Sequence, residues 1–182
     1  MNFIGRTLVG RVAAALTLIV LSPVLVAIAI AIWLDDKGPV LFEQVRVGRG
    51  GKHFIMYKLR SMRTQPGLPL TCSGDPRVTR VGRLLRKCKL DELPQFWNIL
   101  RGEMAWIGPR PEVPEFVDMT DPLWQQVLQF RPGLADAASF AFRNEEQLLA
   151  AAVDPKDYYR REILPRKLQL SIEHSLRRFP SR

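Results

Sequence analysis

Val12 to Leu34 is an unbroken run of 23 uncharged, almost wholly apolar residues in a chain of 182. That length leaves room for one modest domain plus an anchor. As a straight helix the run would measure about 34 Å, slightly more than the roughly 30 Å hydrocarbon core of a bilayer. A single transmembrane span is the first expectation. Ser22-Pro23 interrupts it at the centre, where proline removes a backbone donor and crowds the preceding turn, which predicts a sharp kink or a break. Each arm is then about 11 residues, roughly 16 Å if helical, enough to reach mid-bilayer and return. Both flanks are basic, with Arg6 and Arg11 before and Lys37, Arg46, Arg49 and Lys52 after. The positive-inside rule therefore favours keeping both ends on the cytoplasmic side. Proline kinks also occur in ordinary spanning helices, so span and re-entrant hairpin both stand at this point. A cleaved signal peptide fits poorly, because Trp33-Leu34-Asp35-Asp36 offers no small-residue cleavage site.

The formal net charge is +9, and its distribution narrows the partner. Residues 1–36 sum to zero, and residues 111–182 to −1. Residues 37–110 carry fifteen Lys/Arg against five Asp/Glu, a net of +10. Charge added only for solubility would be spread more evenly, so this segment reads as a site for several anionic groups. Cys72 and Cys88 form no CxxC, and His53 and His174 are the only histidines. A zinc site or a histidine-activated nucleophile is thus disfavoured, while a single disulfide stays open.

Beyond Gly38 the periodicity changes. Val40–Val47 and His53–Leu59 flank Gly48-Arg49-Gly50-Gly51, which predicts a β-hairpin rather than a nucleotide-binding glycine loop. Thr64–Pro76 is rich in proline and glycine and reads as a mobile loop. Thr79 can cap a helix over Arg80–Lys87 with Val81, Leu84 and Leu85 on its apolar side. Arg77, Arg80, Arg83 and Arg86 recur every three residues, either as a solvated face or as an anion-collecting ridge leading to Asp91.

Leu93, Phe96, Trp97 and Leu100 have the spacing of a buried helical stripe. Pro94 is tolerable only in the first turn of that helix, so its start is expected near Asp91, with Gly102 as its C-cap. Asp91 and Glu92 would then sit at a helix N-terminus, where the dipole favours negative charge and would also attract a phosphate. Spacing alone does not separate a reactive pair from ordinary N-terminal acids. Met104–Ile107 reads as a short buried strand, followed by the stiff Gly108-Pro109-Arg110-Pro111. Asp121-Pro122 starts a short helix whose Trp124 is either core or an interface anchor. In Asp157–Phe179, Leu164, Leu168, Ile172, Leu176 and Phe179 share a stripe that either lies in the headgroup region or packs on the domain, and Pro165 limits where that helix begins.

The order of these motifs resembles the small monotopic phosphoglycosyl transferases, the bacterial sugar transferase family that starts glycoconjugate assembly. The resemblance rests on the apolar segment broken by Ser22-Pro23, Gly38-Pro39-Val40-Leu41-Phe42, Tyr57-Lys58-Leu59-Arg60-Ser61-Met62 and Arg77-Val78-Thr79-Arg80-Val81-Gly82-Arg83. Leu90-Asp91-Glu92-Leu93-Pro94-Gln95 and Gly108-Pro109-Arg110-Pro111 complete it, covering residues 1 to about 134. It implies an α+β fold with a re-entrant membrane helix hairpin (1–36), a small cytosolic catalytic domain of helices and a short β-hairpin (37–134), and a C-terminal extension with an amphipathic interfacial helix (135–182). The implied setting is the bacterial inner membrane, with the catalytic domain facing the cytoplasm.

The implied reaction moves a sugar 1-phosphate from a UDP-sugar to a polyprenol phosphate and releases UMP. Carried over residue by residue, Asp91 is the nucleophile that forms a phosphoglycosyl-aspartate, and Glu92 is its catalytic partner. Mg²⁺ would be held by Asp91 and Glu92, since magnesium prefers carboxylate and phosphate oxygens. Lys58, Arg60, Arg86 and Arg110 are candidates for binding phosphates. The partners implied are UDP-sugar, polyprenol phosphate and membrane lipid, with room for downstream glycosyltransferases and none for nucleic acid.

Two departures stand out. Many members continue after Pro-Gly with a Thr-Gly-Trp-Ala-Gln-Val-type run, whereas Leu134-Ala135-Asp136-Ala137-Ala138-Ser139 follows here. That leaves the packing of residues 135–182 and the donor open, whether a hexose or an N-acetylated amino sugar. Lys89 stands where Ser or Thr is usual, and a cation there would lower the Asp91 pKa if it points that way. The competing function is a non-catalytic, membrane-tethered basic protein that binds anionic lipid or nucleic acid. Against it, the basic segment has no aromatic base-stacking platform.

Overall fold

The structure, a computed structural model, describes residues 3–63 and 70–178. Two compact units interleave along the chain: one comprises Met1–Gln44, Ile55–Pro66 and Pro76–Met104, the other Val45–Phe54, Gly67–Asp75 and Ala105–Arg182. Much of the loop expected over Thr64–Pro76 lies outside the described residues, as does Phe179.

The first unit begins with α1, Phe3–Asp36, the only described helix long and apolar enough to cross a membrane. Pro23 lies inside it, so of the kink or break predicted at Ser22-Pro23 the break does not occur, and the helix continues through both residues. The reason is local. Pro23 cannot donate to the carbonyl of Ile19, and the Ser22 hydroxyl donates to that carbonyl instead, at 2.8 Å. Much of α1 leaves apolar side chains exposed, including Val12, Ile19, Val20 and Ile30. Its other side packs on the unit: Ile32 joins Leu59 and Leu85 in a small core, with Leu25, Ile28, Val40 and Leu90 against it.

Polar ties hold both ends of α1. The Arg11 guanidinium donates to the Arg101 carbonyl at 3.0 Å, and Asp35 accepts from the Val81 amide at 3.1 Å. Asp36 pairs with Arg60 at 3.0 Å. The Arg60 guanidinium crosses so close to Gly38 that a Cβ there would lie 2.1 Å from it. That closeness gives the Gly38-Pro39 motif its packing reason.

The predicted hairpin forms from β1, Leu41–Val47, and β2, His53–Leu59. Helix α2, Arg80–Lys87, starts where expected, with the Thr79 hydroxyl accepting from the Gly82 amide at 2.9 Å. A Cβ on Gly82 would lie 1.9 Å from the Ser61 carbonyl oxygen, so only glycine lets these backbones meet. The buried stripe of α2 is narrower than predicted: Leu85 is buried, Val81 is partly so, and Leu84 is exposed. Helix α3, Gln95–Arg101, packs along α1 and ends at Gly102 in a left-handed C-cap, as the sequence predicts. Its buried face differs from the predicted stripe. Phe96 and Ile99 are buried together with the polar Gln95 and Asn98, whereas Trp97 is exposed.

In the second unit β3, Ala105–Ile107, pairs in parallel with β4, Gly133–Ala135, with Ala105 opposite Gly133. The β3 residues are only partly buried, less than the sequence suggests. Helix α4, Pro122–Val127, is capped by Asp121 and buries Trp124, which resolves that residue as core. Short helices α5, Ala137–Ala141, α6, Glu145–Ala150, and α7, Pro155–Tyr158, lead to a π-helical turn at Tyr159–Ile163. Helix α8, Leu164–Arg178, follows without interruption, so Pro165 sits in its first turn. Leu164, Leu168 and Ile172 of its stripe are buried in one core with Trp124, Val127 and Tyr159. Of the two alternatives for this stripe, packing on the domain is the one realised, and Leu176 remains exposed.

A buried polar network crosses this unit. Glu112 accepts from the Tyr159 hydroxyl at 2.6 Å and lies 3.5 Å from Lys167 and 3.4 Å from Arg46. Lys167 also pairs with Glu145 at 2.9 Å. Burial pushes the Glu112 carboxyl up, but Lys167, Arg46, the Tyr159 hydroxyl and Arg110 outweigh it and hold the group below the usual glutamate range. Tyr159 moves the other way: burial, then the charges of Glu112 and Glu145, push its phenol far up and keep it a donor.

Removing one partner of such a cluster leaves a buried charge uncompensated, so Lys167→Met is expected to destabilise the protein by about 3–5 kcal/mol in urea unfolding. Lys167→Met with Glu112→Gln should recover part of that loss. Because the Glu112 pKa is lowered on folding, its contribution is present above the free glutamate value of about 4.3 and is lost as pH falls through the lowered value. Glu112→Gln should therefore flatten the acid limb of the stability profile.

Candidate active site

Helix α2 ends at Lys87, and the chain reverses through Cys88 and Lys89, the latter in the left-handed region at φ 57°. A lysine pays an energetic penalty for that conformation, which a glycine or asparagine would not. The reversal delivers Leu90–Glu92 as a single 3₁₀ turn, with Pro94 capping α3 beyond it. The acids thus precede α3 rather than opening it, which corrects the predicted helix start. Asp91 and Glu92 are nonetheless both buried, at 6% and 9% exposure. Adjacent acids that merely start a surface helix would be solvated.

Lys58 enters from β2 and stands 4.0 Å from the Glu92 carboxylate. The preceding residues of β2 are bonded by Asn98, which is wholly buried on α3. The Asn98 side chain donates to the Ile55 carbonyl at 2.6 Å and accepts from the Tyr57 amide at 3.2 Å. It thereby fastens the edge of β2 to the helix that follows the acids, and it also donates to Glu103 at 2.8 Å.

The electrostatics of Asp91 are a contest. Burial pushes its carboxyl up, Lys58 opposes it, Glu92 adds to it, and Arg86 and Lys89 oppose it. Burial wins, and the carboxyl sits above the usual aspartate range. Lys89 does act in the direction expected of a cation there, but it is the smallest of these contributions. Asp91 Oδ1 is buried with no hydrogen-bond partner among the described residues.

Of the residues singled out from the sequence, Asp91, Glu92, Lys58 and Arg86 come together. Arg86 also reaches the Met62 sulfur at 3.7 Å. The arginine series divides: Arg77 and Arg86 are partly buried, and Arg80 and Arg83 are exposed. Arg60 has a structural partner, since its guanidinium is committed to the Asp36 carboxylate at 3.0 Å and the Asp36 carbonyl at 3.2 Å. Arg110 belongs to the second unit, where its amide donates to Asp136 at 3.3 Å and Asp136 also accepts from Ser171 at 2.9 Å. Ser22 and Pro23 lie within α1. Cys72 and Cys88 are free thiols.

Reading by apolar periodicity missed Gln95 and Asn98. The available signal was an amide at each of two positions of a short helix, where asparagine in particular is a poor helix former.

No group of three or more His, Cys, Asp or Glu side chains among the described residues could cage a metal. A cation needing only one or two carboxylates, with phosphate and water oxygens completing its shell, is a different case. Asp91 and Glu92 fit that requirement, and the unpartnered Asp91 oxygen supplies a free ligand atom.

Comparison with known proteins adds to this geometry. Residues 1–170 match the profile of a family described as bacterial sugar transferase. A UDP-N-acetylgalactosamine-undecaprenyl-phosphate N-acetylgalactosaminephosphotransferase of Aeromonas hydrophila is 46% identical over 129 residues, 68% of this chain and 30% of that protein. A UDP-glucose:undecaprenyl-phosphate glucose-1-phosphate transferase of Caulobacter vibrioides is 44% identical over 133 residues, 70% of this chain and 50% of its own. An undecaprenyl-phosphate glucose phosphotransferase of Komagataeibacter xylinus is 48% identical over 107 residues, 57% of this chain and 20% of its own. The chain thus spans half or less of the length of these relatives.

A carboxyl whose pKa is raised on folding loses stability as pH climbs from the free aspartate value, about 3.9, through the raised one. Above that window the ionised group is a constant burden. Asp91→Asn should therefore melt a few degrees higher than the unsubstituted protein at pH 7 in metal-free buffer. The difference should close on acidification below the free aspartate value, as followed by circular dichroism in detergent.

Proposed function

We propose that this chain, which belongs to the bacterial sugar transferase family, moves a sugar 1-phosphate from a UDP-sugar to a polyprenol phosphate through a covalent intermediate on Asp91. The observation that carries the proposal is the Asp91 carboxylate itself: buried, with one oxygen unpartnered, and flanked by Lys58, Arg86 and Lys89. A nucleophilic oxygen is the more reactive when no competing donor holds it.

In the first step the ionised Asp91 oxygen attacks the sugar-bearing phosphorus. The bond from that phosphorus to the bridging oxygen breaks, and UMP leaves with the bonding pair. In the second, an oxygen of the polyprenol phosphate attacks the same phosphorus and the Asp91 carboxylate departs, giving the polyprenyl diphosphate sugar and regenerating the enzyme. A single site can so serve a water-soluble donor and a lipid acceptor in turn. Lys58 and Arg86 offset the charge of an anion approaching a diphosphate. Mg²⁺, when bound by Asp91 and Glu92, would neutralise phosphate oxygens and the leaving UMP. Because the nucleophile has to be ionised and its pKa is raised, turnover should fall on acidification at a pH above the usual aspartate range.

The acceptor's headgroup lies at the bilayer surface, so the anchor matters. We read α1 as monotopic, with both ends on the cytoplasmic face. The ties of Arg11 to Arg101 and of Asp35 and Asp36 to Val81 and Arg60 support that reading, because both ends engage the same unit. A bend at Ser22-Pro23 would take the exposed apolar side chains into one leaflet and back. A non-catalytic basic tether explains none of the burial at Asp91 and Glu92. The relatives carry donor names of both kinds, N-acetylgalactosamine and glucose, and leave the sugar open.

Purified protein with magnesium, polyprenol phosphate and a panel of UDP-sugars should release UMP, and Asp91→Asn should lower the rate by about 10³-fold or more. Mass spectrometry after donor alone should find Asp91 heavier by one sugar phosphate. UMP release by Asp91→Asn at the unsubstituted rate would rule out the covalent route. For topology, a cysteine placed near the N-terminus should resist an impermeant reagent in sealed cells; ready labelling would favour a spanning helix.

A further inference from the structure

Helix α2 is sorted by side chain around its axis. At about 100° per residue, Val81 and Leu85 are followed by Leu84, and Leu84 by Arg80, Lys87 and Arg83. Val81 and Leu85 turn inward, into the small core they share with Ile28 and Ile32 of α1 and Leu59 of β2. Arg86 is partly buried and reaches the Met62 sulfur. The remaining side, Arg80, Arg83, Leu84 and Lys87, is exposed, Leu84 to 61%. The order round the axis is thus apolar core, exposed leucine, cations.

The neighbour on the inner side fixes the level at which α2 lies. Leu25, Ile28 and Ile32 belong to the apolar run of α1, and Val24, Val26 and Ile30 stand exposed at the same level. Ile28 lies two turns before Asp35, about 10 Å along the helix. The Asp35 carboxylate accepts from the Val81 amide at 3.1 Å, so the first turn of α2 is tied where α1 leaves its apolar run. Trp33 and Lys37 mark the same exit. Trp33 is half-exposed, and the Lys37 ammonium stands 3.8 Å from the centre of its ring. An exposed tryptophan with a cation on its face suits the headgroup layer.

We propose that the outward face of α2 docks on an anionic bilayer surface, Leu84 entering the acyl boundary and Arg80, Arg83 and Lys87 pairing with lipid phosphates. The inference rests on reading α1 as the membrane anchor, not on the transfer reaction. The chemistry of the face selects this occupant. Arginine meets phosphate with paired N–H donors, and the long stems of Arg and Lys lie along apolar surface while their charges reach outward. A soluble nucleotide would use the cations and leave Leu84 in water. An apolar protein face would cover Leu84 and strand the cations. A surface apolar at one depth and anionic at the next meets both requirements.

The test is fluorescence quenching by nitroxide-labelled lipid, with the full chain in nanodiscs. Cys72 and Cys88 are first replaced by serine, and a fluorophore is attached through Leu84→Cys. A second preparation carries it through Ile19→Cys, an exposed position in the middle of α1 that reports the anchor. In discs of equal parts phosphatidylcholine and phosphatidylglycerol both labels should be quenched. Arg80→Gln, Arg83→Gln and Lys87→Gln together should lower the ratio of docked to undocked α2 on the order of 10²-fold, each surface cation contributing roughly fivefold. Quenching at 84 should then be lost while quenching at 19 stays. Discs of phosphatidylcholine alone should weaken quenching at 84 without any substitution in the cations. In detergent, the triple variant should release UMP with an unchanged KM for the donor.

Quenching at 19 without quenching at 84 overturns the docking and leaves the anchor standing. Quenching at neither position removes the anchor and the docking with it. Quenching at 84 that ignores both the anionic lipid and the three cations overturns the pairing with phosphates, and the proposal with it. A donor KM raised by the triple variant in detergent would assign the cations to the nucleotide and overturn it equally.

Discussion

A carboxylate in the interior of a small unit is poorly solvated, and without a cation held close it would give up its charge. At Asp91 that cation is above all Lys58, with Arg86 and Lys89 behind it. The first unit is arranged around this requirement. The Asn98 side chain stitches β2 to α3, and so fixes the strand bearing Lys58 relative to the turn bearing Asp91. Gly82 lets α2 approach Ser61, which places Arg86 on the same side. The compensation is incomplete: burial still prevails and the Asp91 carboxyl stays raised.

The same physics has the opposite outcome at Glu112 in the second unit. There Lys167, Arg46, Tyr159 and Arg110 outweigh burial, and the group is held ionised. The effect is structural. Glu112 directly follows the Pro109-Arg110-Pro111 segment, and Arg46 also donates to the Pro111 carbonyl at 3.0 Å. Residues 135–182, where the sequence leaves the commoner family pattern, supply Asp136, Tyr159, Lys167 and Ser171 to hold that segment's backbone and its neighbour. Residues after Gly133 are thus engaged in supporting the backbone of the Pro109-Arg110-Pro111 segment and its neighbour Glu112.

The legible parts were those set by local rules. The hairpin over Gly48–Gly51, the Thr79 cap, the Gly102 cap and the long apolar α1 follow from turn chemistry, capping and composition, which act over a few residues. Errors arose where a side chain answered to something distant. Trp97 fits the predicted stripe by spacing but is exposed, because Asn98 and Gln95 take the inward positions. Arg60, a phosphate-binding candidate from its place in the motif, pairs with Asp36, a partner 24 residues away that no local pattern announces.

From sequence alone came the family resemblance: an Asp-Glu pair in a strongly basic segment, after a long apolar helix, in a motif order similar to that of the bacterial sugar transferases. Those features are carried by residue identity and spacing along the chain. The tertiary structure alone decided which cations stand at the carboxylates and which arginine is consumed in holding α1. Each of those outcomes depends on desolvation and on partners far apart in the chain, and neither is encoded in any local window.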